Sequence, residues 1–228
     1  MNKLFLFIAL VIISGQLRAQ GSVPQITFGG GGGLATAFAG SQLQKTTTVF
    51  YGDAAFYPVA YFNVNIEAQT GVLSGRSLNK KNTKSFDNNY QAVIINGELQ
   101  ARIIIAPDIN GFFDVVRNIY VGAGYGLMRG DITYVSLIKP NPIAHIKNTL
   151  RVVPFKAGYE LNIVKNNYNE PVLKLDGCLS LNYVNGKGID GYYNKNAASF
   201  SFYSYCSLGL RYVISLRHGR ARDYNKFD

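Results

Sequence analysis

Apolar and polar residues alternate along most of the chain. In residues 173–183 every odd position is apolar or glycine, and every even position is polar or a cysteine. A similar period of two runs through residues 62–69, 93–103, 119–127, 153–163 and 202–214. This is the period of a β-strand that presents one apolar face. The chain is therefore predicted to be all-β.

A further strand is predicted from Gln25 to Thr36, through a run of five glycines, which makes seven strands. A closed up-and-down barrel with both termini on one side needs an even number of strands. Thr46–Tyr57 supplies the eighth, since Phe50, Ala54 and Phe56 alternate there with other residues. The predicted fold is an eight-stranded antiparallel up-and-down transmembrane β-barrel.

Alternation alone leaves two kinds of barrel open. A soluble barrel of the lipocalin type keeps its apolar face inside, whereas an outer-membrane barrel turns that face to lipid. The polar face of this chain carries few charges among Asn, Gln, Ser, Gly and Tyr. A surface that water hydrates would be richer in Lys and Glu. The pattern therefore favours the membrane barrel.

The two ends of the chain differ from this pattern. Residues 1–20 combine a basic start, ten apolar residues and a small-residue exit, which predicts a cleaved secretory signal peptide. Residues 21–214 are interpreted as the barrel and residues 215–228 as a basic periplasmic tail, with both termini periplasmic. No apolar run of 18 residues follows the signal, so no helical membrane span is expected.

The connections between the predicted strands alternate in length, as in outer-membrane barrels. The periplasmic connections are predicted at Tyr57–Val59, Pro107–Arg117 and Lys165–Glu170, the second with a short interfacial helix. The outer loops are predicted at Ala37–Lys45, Ser74–Asn89, Gly130–Asn148 and Asn185–Asn196. Cys178 and Cys206 face opposite sides of neighbouring strands, which predicts two free thiols.

Nine charged residues fall on the inward face by parity. They are Asp53, Glu67, Glu98, Arg102, Lys156, Glu160, Lys174, Asp176 and Arg211. Unpaired charges would be costly inside a narrow lumen, so ion pairs are expected, with Lys156 and Glu160 in reach of Lys174 and Asp176. A structural salt-bridge network that plugs the lumen is the preferred interpretation. A switchable gate or proton path is the alternative.

The net charge of +10 at pH 7 is concentrated outside the predicted lumen. One basic cluster lies in the second outer loop and another in the tail; they are Arg76, Lys80, Lys81 and Lys84, and Arg217, Arg220, Arg222 and Lys226. Basic side chains at the outer leaflet would contact lipopolysaccharide phosphates, and the tail could contact a periplasmic partner. Because the protein is exported, no nucleic-acid partner is expected.

Little in the sequence indicates catalysis. His145 and His218 are too few for a metal site. Neither Gly29–Gly33 nor the alternating glycines of Gly122–Gly126 have the context of a phosphate-binding loop. No metal and no cofactor are expected. A lipid-modifying enzyme would need a constellation such as His145 with Asp131 and Ser136. The chain is therefore predicted not to be an enzyme.

Four stretches resemble the small outer-membrane β-barrel proteins of the Bacteroidota, which are similar in architecture to OmpA and OmpX. They are Tyr120–Gly126, Val153–Ile163, Tyr168–Pro171 and Gly186–Tyr193. The resemblance implies a barrel that acts as a structural or interaction module. The alternative is an accessory subunit of a larger outer-membrane complex for secretion, assembly or nutrient uptake. Such barrels commonly end at an aromatic residue, whereas fourteen residues follow Ile214 here.

Overall fold

The computed structural model describes residues 24–38, 43–79, 82–103, 116–136, 142–167, 170–185, 189 and 200–216. The predicted signal peptide and nearly all of the predicted basic tail lie outside these residues. So does most of the predicted connection 107–117 with its interfacial helix.

Eight antiparallel strands form a closed barrel in which each strand pairs with its neighbours in sequence. The strands are β1 (Gln25–Phe38), β2 (Leu43–Val59), β3 (Phe62–Asn79), β4 (Asn82–Gln100), β5 (Ile119–Ser136), β6 (Pro142–Lys165), β7 (Pro171–Asn185) and β8 (Phe200–Ser215). A single 3₁₀ turn, Ala101–Ile103, follows β4. The predicted fold class is confirmed. Among the described residues, no helix is long and apolar enough to cross a bilayer.

The barrel has two distinct ends. The terminal end carries the start of β1 and the end of β8, and the distal end carries the opposite strand ends. β1 closes against β8 in an unbroken register from Gln25↔Ser215 to Phe38↔Phe202. This ladder removes the two sheet edges that would otherwise leave backbone groups without partners.

Two predicted outer loops are wrong. Residues 74–89 are mostly strand, because β3 continues to Asn79 and β4 begins at Asn82. Residues 130–148 are likewise mostly strand, since β5 continues to Ser136 and β6 begins at Pro142. The cause is a reversal of the polarity pattern towards the distal end, where apolar side chains face inward and polar side chains face outward.

A continuous apolar belt surrounds the half of the barrel nearest the terminal end. Phe50 is 60% exposed, Val121 58% and Leu208 58%. Other members are Phe28, Leu34, Phe56, Val64, Ile66, Val93, Ile95, Leu99, Tyr125, Leu127, Phe155, Leu161, Ile163, Leu179, Leu181, Leu210, Tyr212 and Ile214. On β6 the belt extends from residue 153 to residue 163, which is about 25 Å along the barrel axis at a typical strand tilt.

The belt ends at a row of polar side chains on the outer face. Thr70 of β3 pairs in register with Gln91 of β4, and Gln91 pairs with Arg129 of β5. The next outward positions towards the distal end are polar on β4 and β5, namely Asn89 and Asp131, and Asp131 lies opposite Lys147. On β3 the next outward residue is Val72. The outer surface therefore changes from apolar to polar within one residue pair on β4 and β5.

The interior changes in the opposite sense. Towards the terminal end most buried inward residues are polar or charged, whereas towards the distal end most of them are apolar and form one core. This core contains Ala35, Ala37, Val49, Leu73, Phe86, Tyr90, Ala92, Ile94, Met128, Ile132, Leu150, Val152, Val184, Ile189, Tyr203 and Tyr205. The predicted polar lumen is thus correct only for the terminal half.

The glycines of β1 allow close contact with β8. A Cβ added at Gly33 would lie 2.7 Å from Ser207 Cα and would also collide with the carbonyl of Cys206, both backbone atoms. A Cβ at Gly32, on the opposite face, would meet nothing closer than the Phe50 ring at 3.4 Å. Close approach therefore requires glycine at position 33 but not at position 32.

We predict that Gly33→Ala lowers the free energy of unfolding by about 1–3 kcal/mol, the range for overpacked interiors. The matched variant Gly32→Ala should change it by less than about 1 kcal/mol. Urea unfolding of the purified protein in detergent micelles measures both. Equal stability of the two variants would contradict the β1–β8 packing.

Candidate functional site

The candidate site is the charged interior of the terminal half, and Arg211 of β8 lies at its centre. Arg211 Nε donates to Asp53 Oδ2 of β2 at 2.8 Å, and its Nη1 donates to Glu160 Oε1 of β6 at 2.8 Å. Asp176 Oδ1 of β7 lies 3.5 Å from the same Nη1. Arg211 is 2% exposed. One guanidinium group thus joins four strands.

Glu160 is the most heavily bonded carboxylate of the site. Besides Arg211, it accepts hydrogen bonds from Tyr57 OH at 2.5 Å, Gln100 Nε2 at 2.9 Å and Lys174 Nζ at 2.9 Å. Lys174 also lies 4.5 Å from the centre of the Tyr57 ring. Two cations and two neutral donors therefore compensate the desolvation of one carboxylate.

A glycine of β1 provides the space for the Arg211–Asp53 ion pair. Gly29 pairs in register with Asp53 on one side and with Arg211 on the other. A Cβ at this position would lie 2.6 Å from Arg211 Cγ and would also collide with Asp53. β1 thus contributes to the site through Gly29, whose missing side chain leaves room for the ion pair.

A second ion pair crosses the lumen towards the distal end. Lys156 of β6 donates to Glu67 Oε2 of β3, and both side chains are buried. Glu67 Oε1 also accepts from Tyr205 OH at 2.5 Å and from Gln69 Nε2 at 2.6 Å. Tyr203 OH donates to Gln69 Oε1 at 3.0 Å. This layer separates the charged interior from the apolar core.

Glu98 differs from the other buried carboxylates. It accepts one hydrogen bond, from Asn63 Nδ2 at 3.0 Å, and its other oxygen has no partner among the described residues. No cationic nitrogen of the described residues lies within 4.0 Å of it. Glu98 is 0% exposed. Its carboxyl group therefore lacks the compensation that Glu160 has.

Parity predicted that Arg102 lines the lumen on a strand, and this prediction is wrong. β4 ends at Gln100 because the chain enters the 3₁₀ turn, and Arg102 is half-buried beside Asn118, to whose side-chain oxygen it donates. The other eight predicted residues are all buried inside the barrel. Three are cationic and five are acidic, so their formal sum is 3 − 5 = −2.

Sequence reasoning missed the tyrosines that serve the site as donors. Tyr57 and Tyr205 donate to Glu160 and Glu67, and Tyr120 OH donates to Asp176 Oδ1 at 3.0 Å. Their inward parity was visible, but tyrosine also suits the lipid-facing surface. Only the register shows that these hydroxyls reach carboxylates.

The predicted basic contacts are only partly described. Arg76 is exposed on β3, and Lys84 lies in β4 rather than in a loop. Lys80, Lys81, Arg217, Arg220, Arg222 and Lys226 lie outside the described residues.

The residues of the predicted enzyme constellation lie in strands. His145 is exposed on β6, 3.2 Å from Thr133 Oγ1, whereas Asp131 pairs in register with Lys147. Ser136 ends β5. The described residues contain no group of three or more His, Cys, Asp and Glu side chains that could hold a metal. Cys178 is buried and Cys206 is exposed, both as free thiols.

No protein-family model and no curated protein matches the chain. Among solved structures, Neisserial surface protein A is 8% identical, with a TM-score of 0.50 over 82% of this chain and 96% of that one. Ail, the attachment invasion locus protein of Yersinia pestis, is 11% identical, with a TM-score of 0.49 over 84% of this chain and 99% of that one. The fold is that of the small outer-membrane β-barrels.

Replacing Glu160 and Glu98 by glutamine, one at a time, should have different effects on stability, because only Glu160 is paired with cations. Glu160→Gln leaves Arg211 and Lys174 without their shared anion, so we expect a loss of about 3–5 kcal/mol in the free energy of unfolding. Glu98→Gln removes a buried charge that lacks a cation, so stability should stay within about 1 kcal/mol or rise. Urea unfolding in micelles provides the comparison. An equal loss in both variants would show that ion pairing does not govern the site.

Proposed function

We propose that the chain is an integral outer-membrane protein whose interior is packed closed and whose outer, distal surface carries its function as a structural or interaction module. The single observation that carries this proposal is the change of polarity along the barrel. The terminal half is apolar outside and charged inside, whereas the distal part is polar outside and apolar inside.

The belt supports the membrane assignment. Its outward side chains include no charged residue on β5 between residues 119 and 127, or on β6 between residues 153 and 163. Leaving this surface in water would cost about 25 cal/mol per Å² of apolar area. A bilayer about 30 Å thick in its hydrocarbon region covers a belt of this height.

The interior supports a closed structure. Arg211, Glu160 and Lys156 form bonds across the lumen, and the apolar core lies beyond them. Ile189, from the segment between β7 and β8, is 0% exposed, and its carbonyl accepts from Asn88 Nδ2 at 2.9 Å. A gate would have to break bonds in the charged layer and also open the apolar core.

The proposal includes an orientation and a partner. The terminal end is periplasmic and the distal end lies on the extracellular side of the membrane. There the cluster Arg76, Lys80, Lys81 and Lys84 contacts lipopolysaccharide phosphates. Kinship with the small barrels of the Bacteroidota is part of the same proposal. The belt is also the surface through which an accessory subunit would join a larger outer-membrane complex.

Heat-modifiable migration with membrane fractionation tests the membrane assignment. We expect the unheated protein to migrate faster than the boiled protein in a denaturing gel, because a closed barrel resists unfolding by detergent. The protein should also sediment with the outer-membrane fraction. A soluble protein with a single migration would overturn the proposal.

Planar-bilayer recording tests the closed interior. The purified protein should produce no channel events, and Arg102→Ala should produce none, because Arg102 lies in the 3₁₀ turn after β4 and not on a strand that lines the lumen. Steady channel events from the unmodified protein would contradict the closed lumen and favour the gated alternative.

A further inference from the structure

A polar groove lies on the outer face of the barrel, immediately distal to the apolar belt. It has a volume of about 1060 Å³ and extends from β2 to β5. Two bases, Lys45 and Arg129, and two acids, Asp87 and Asp131, line it together with Thr48, Thr70, Asn89 and Gln91. The groove therefore adjoins the outward belt residue Phe50, which is part of its lining.

The wall of the groove follows from an irregularity in the sheet. The pairing of β2 with β3 shifts between Lys45 and Val49, so residues 46–48 have no register partner on β3. The Thr47 hydroxyl donates to the backbone oxygens of Ala35 and Val72 at this place. The shift leaves a row of hydroxyl and amide side chains beside the groove.

The charge of the surrounding outer face is positive. The described side chains there include five bases, Lys45, Arg76, Arg129, Lys147 and Arg151, and two acids, Asp87 and Asp131, a formal sum of 5 − 2 = +3. Asp87 accepts a hydrogen bond from the Ser74 hydroxyl at 2.6 Å. The positive excess comes from Arg76, Lys147 and Arg151 around the groove, since the acids Asp87 and Asp131 balance Lys45 and Arg129 in its lining. The outer face as a whole therefore favours an anionic ligand over a cationic one.

We propose that this groove binds the phosphorylated saccharide headgroup of an outer-leaflet glycolipid. Lys45 and Arg129 contact the phosphate, and Thr48, Thr70, Asn89 and Gln91 bond the sugar hydroxyls. The acyl chains then lie against Phe50 and Leu127, the belt residues below the groove. This inference rests on the proposed membrane location and adds residues on the strands to the loop cluster.

Three features of the groove point to this occupant. The groove starts where the outward side chains change from Leu127 to Arg129 on β5, the level at which a lipid headgroup begins. Its cations match a phosphate, and its neutral donors and acceptors match a sugar. A soluble phosphate compound would gain nothing from the apolar belt beside it.

Native mass spectrometry of the purified protein in detergent tests the proposal with three probes. They are an acylated disaccharide carrying two phosphates, the same lipid without its phosphates, and phosphatidylglycerol. We expect the protein to bind the first lipid most tightly. Each cation contributes about five-fold in affinity, so the double variant Lys45→Gln/Arg129→Gln should bind it about 25-fold more weakly.

Lys165→Gln is the matched control, because Lys165 is an exposed base at the terminal end of β6. It should bind the bisphosphorylated lipid like the unmodified protein. Equal binding of the dephosphorylated lipid or of phosphatidylglycerol would overturn the proposal, and so would unchanged binding by the double variant. Gel migration of the double variant and of the unmodified protein separates the two hypotheses. A heat-modifiable double variant that binds the lipid unchanged refutes only the groove, whereas an unmodified protein that is not heat-modifiable refutes the membrane assignment.

Discussion

The closed barrel depends on the pairing of one buried guanidinium group with the carboxylates around it. Arg211 is attached to the strand that closes the barrel, and it bonds Asp53 and Glu160 on two other strands. Through these anions it connects to Asn65 of β3 and Gln100 of β4. Removing a carboxylate from such a group would leave a desolvated cation, so the charged layer favours one register for the whole barrel.

The proposed membrane location accounts for the placement of charge inside the barrel. Lipid requires an apolar outer face, and the period of two in each strand then assigns every other side chain to the interior. Eight strands enclose a space that side chains can fill, so polar residues there must bond one another. Beyond the belt the outer face is mostly polar, and the same alternation places an apolar core inside. The same alternation of side chains thus applies in both halves, with the apolar and polar faces exchanged.

The sequence was sufficient to predict the strand number, the faces and most of the buried charges. Lys174 and Glu160 could be paired from sequence because they lie on neighbouring strands. The Lys156–Glu67 pair could not, because β6 and β3 approach only when the sheet is closed. The loops at residues 74–89 and 130–148 were mispredicted for another reason. Leu73, Phe86 and Met128 are apolar on the inward face, and a search for outward apolar residues of the kind found in the belt does not recognise that reversal.

The boundary between the two halves is the central claim, and site-directed spin labelling along β5 tests it most directly. Single cysteines would replace the outward residues 121, 123, 125, 127, 129, 131 and 133 in a Cys178→Ser/Cys206→Ser background, with the protein reconstituted in bilayers. Collisions with oxygen should dominate through residue 127, and collisions with a water-soluble nickel chelate should dominate from residue 129 onward. Equal access of the nickel chelate to all seven positions would contradict the account.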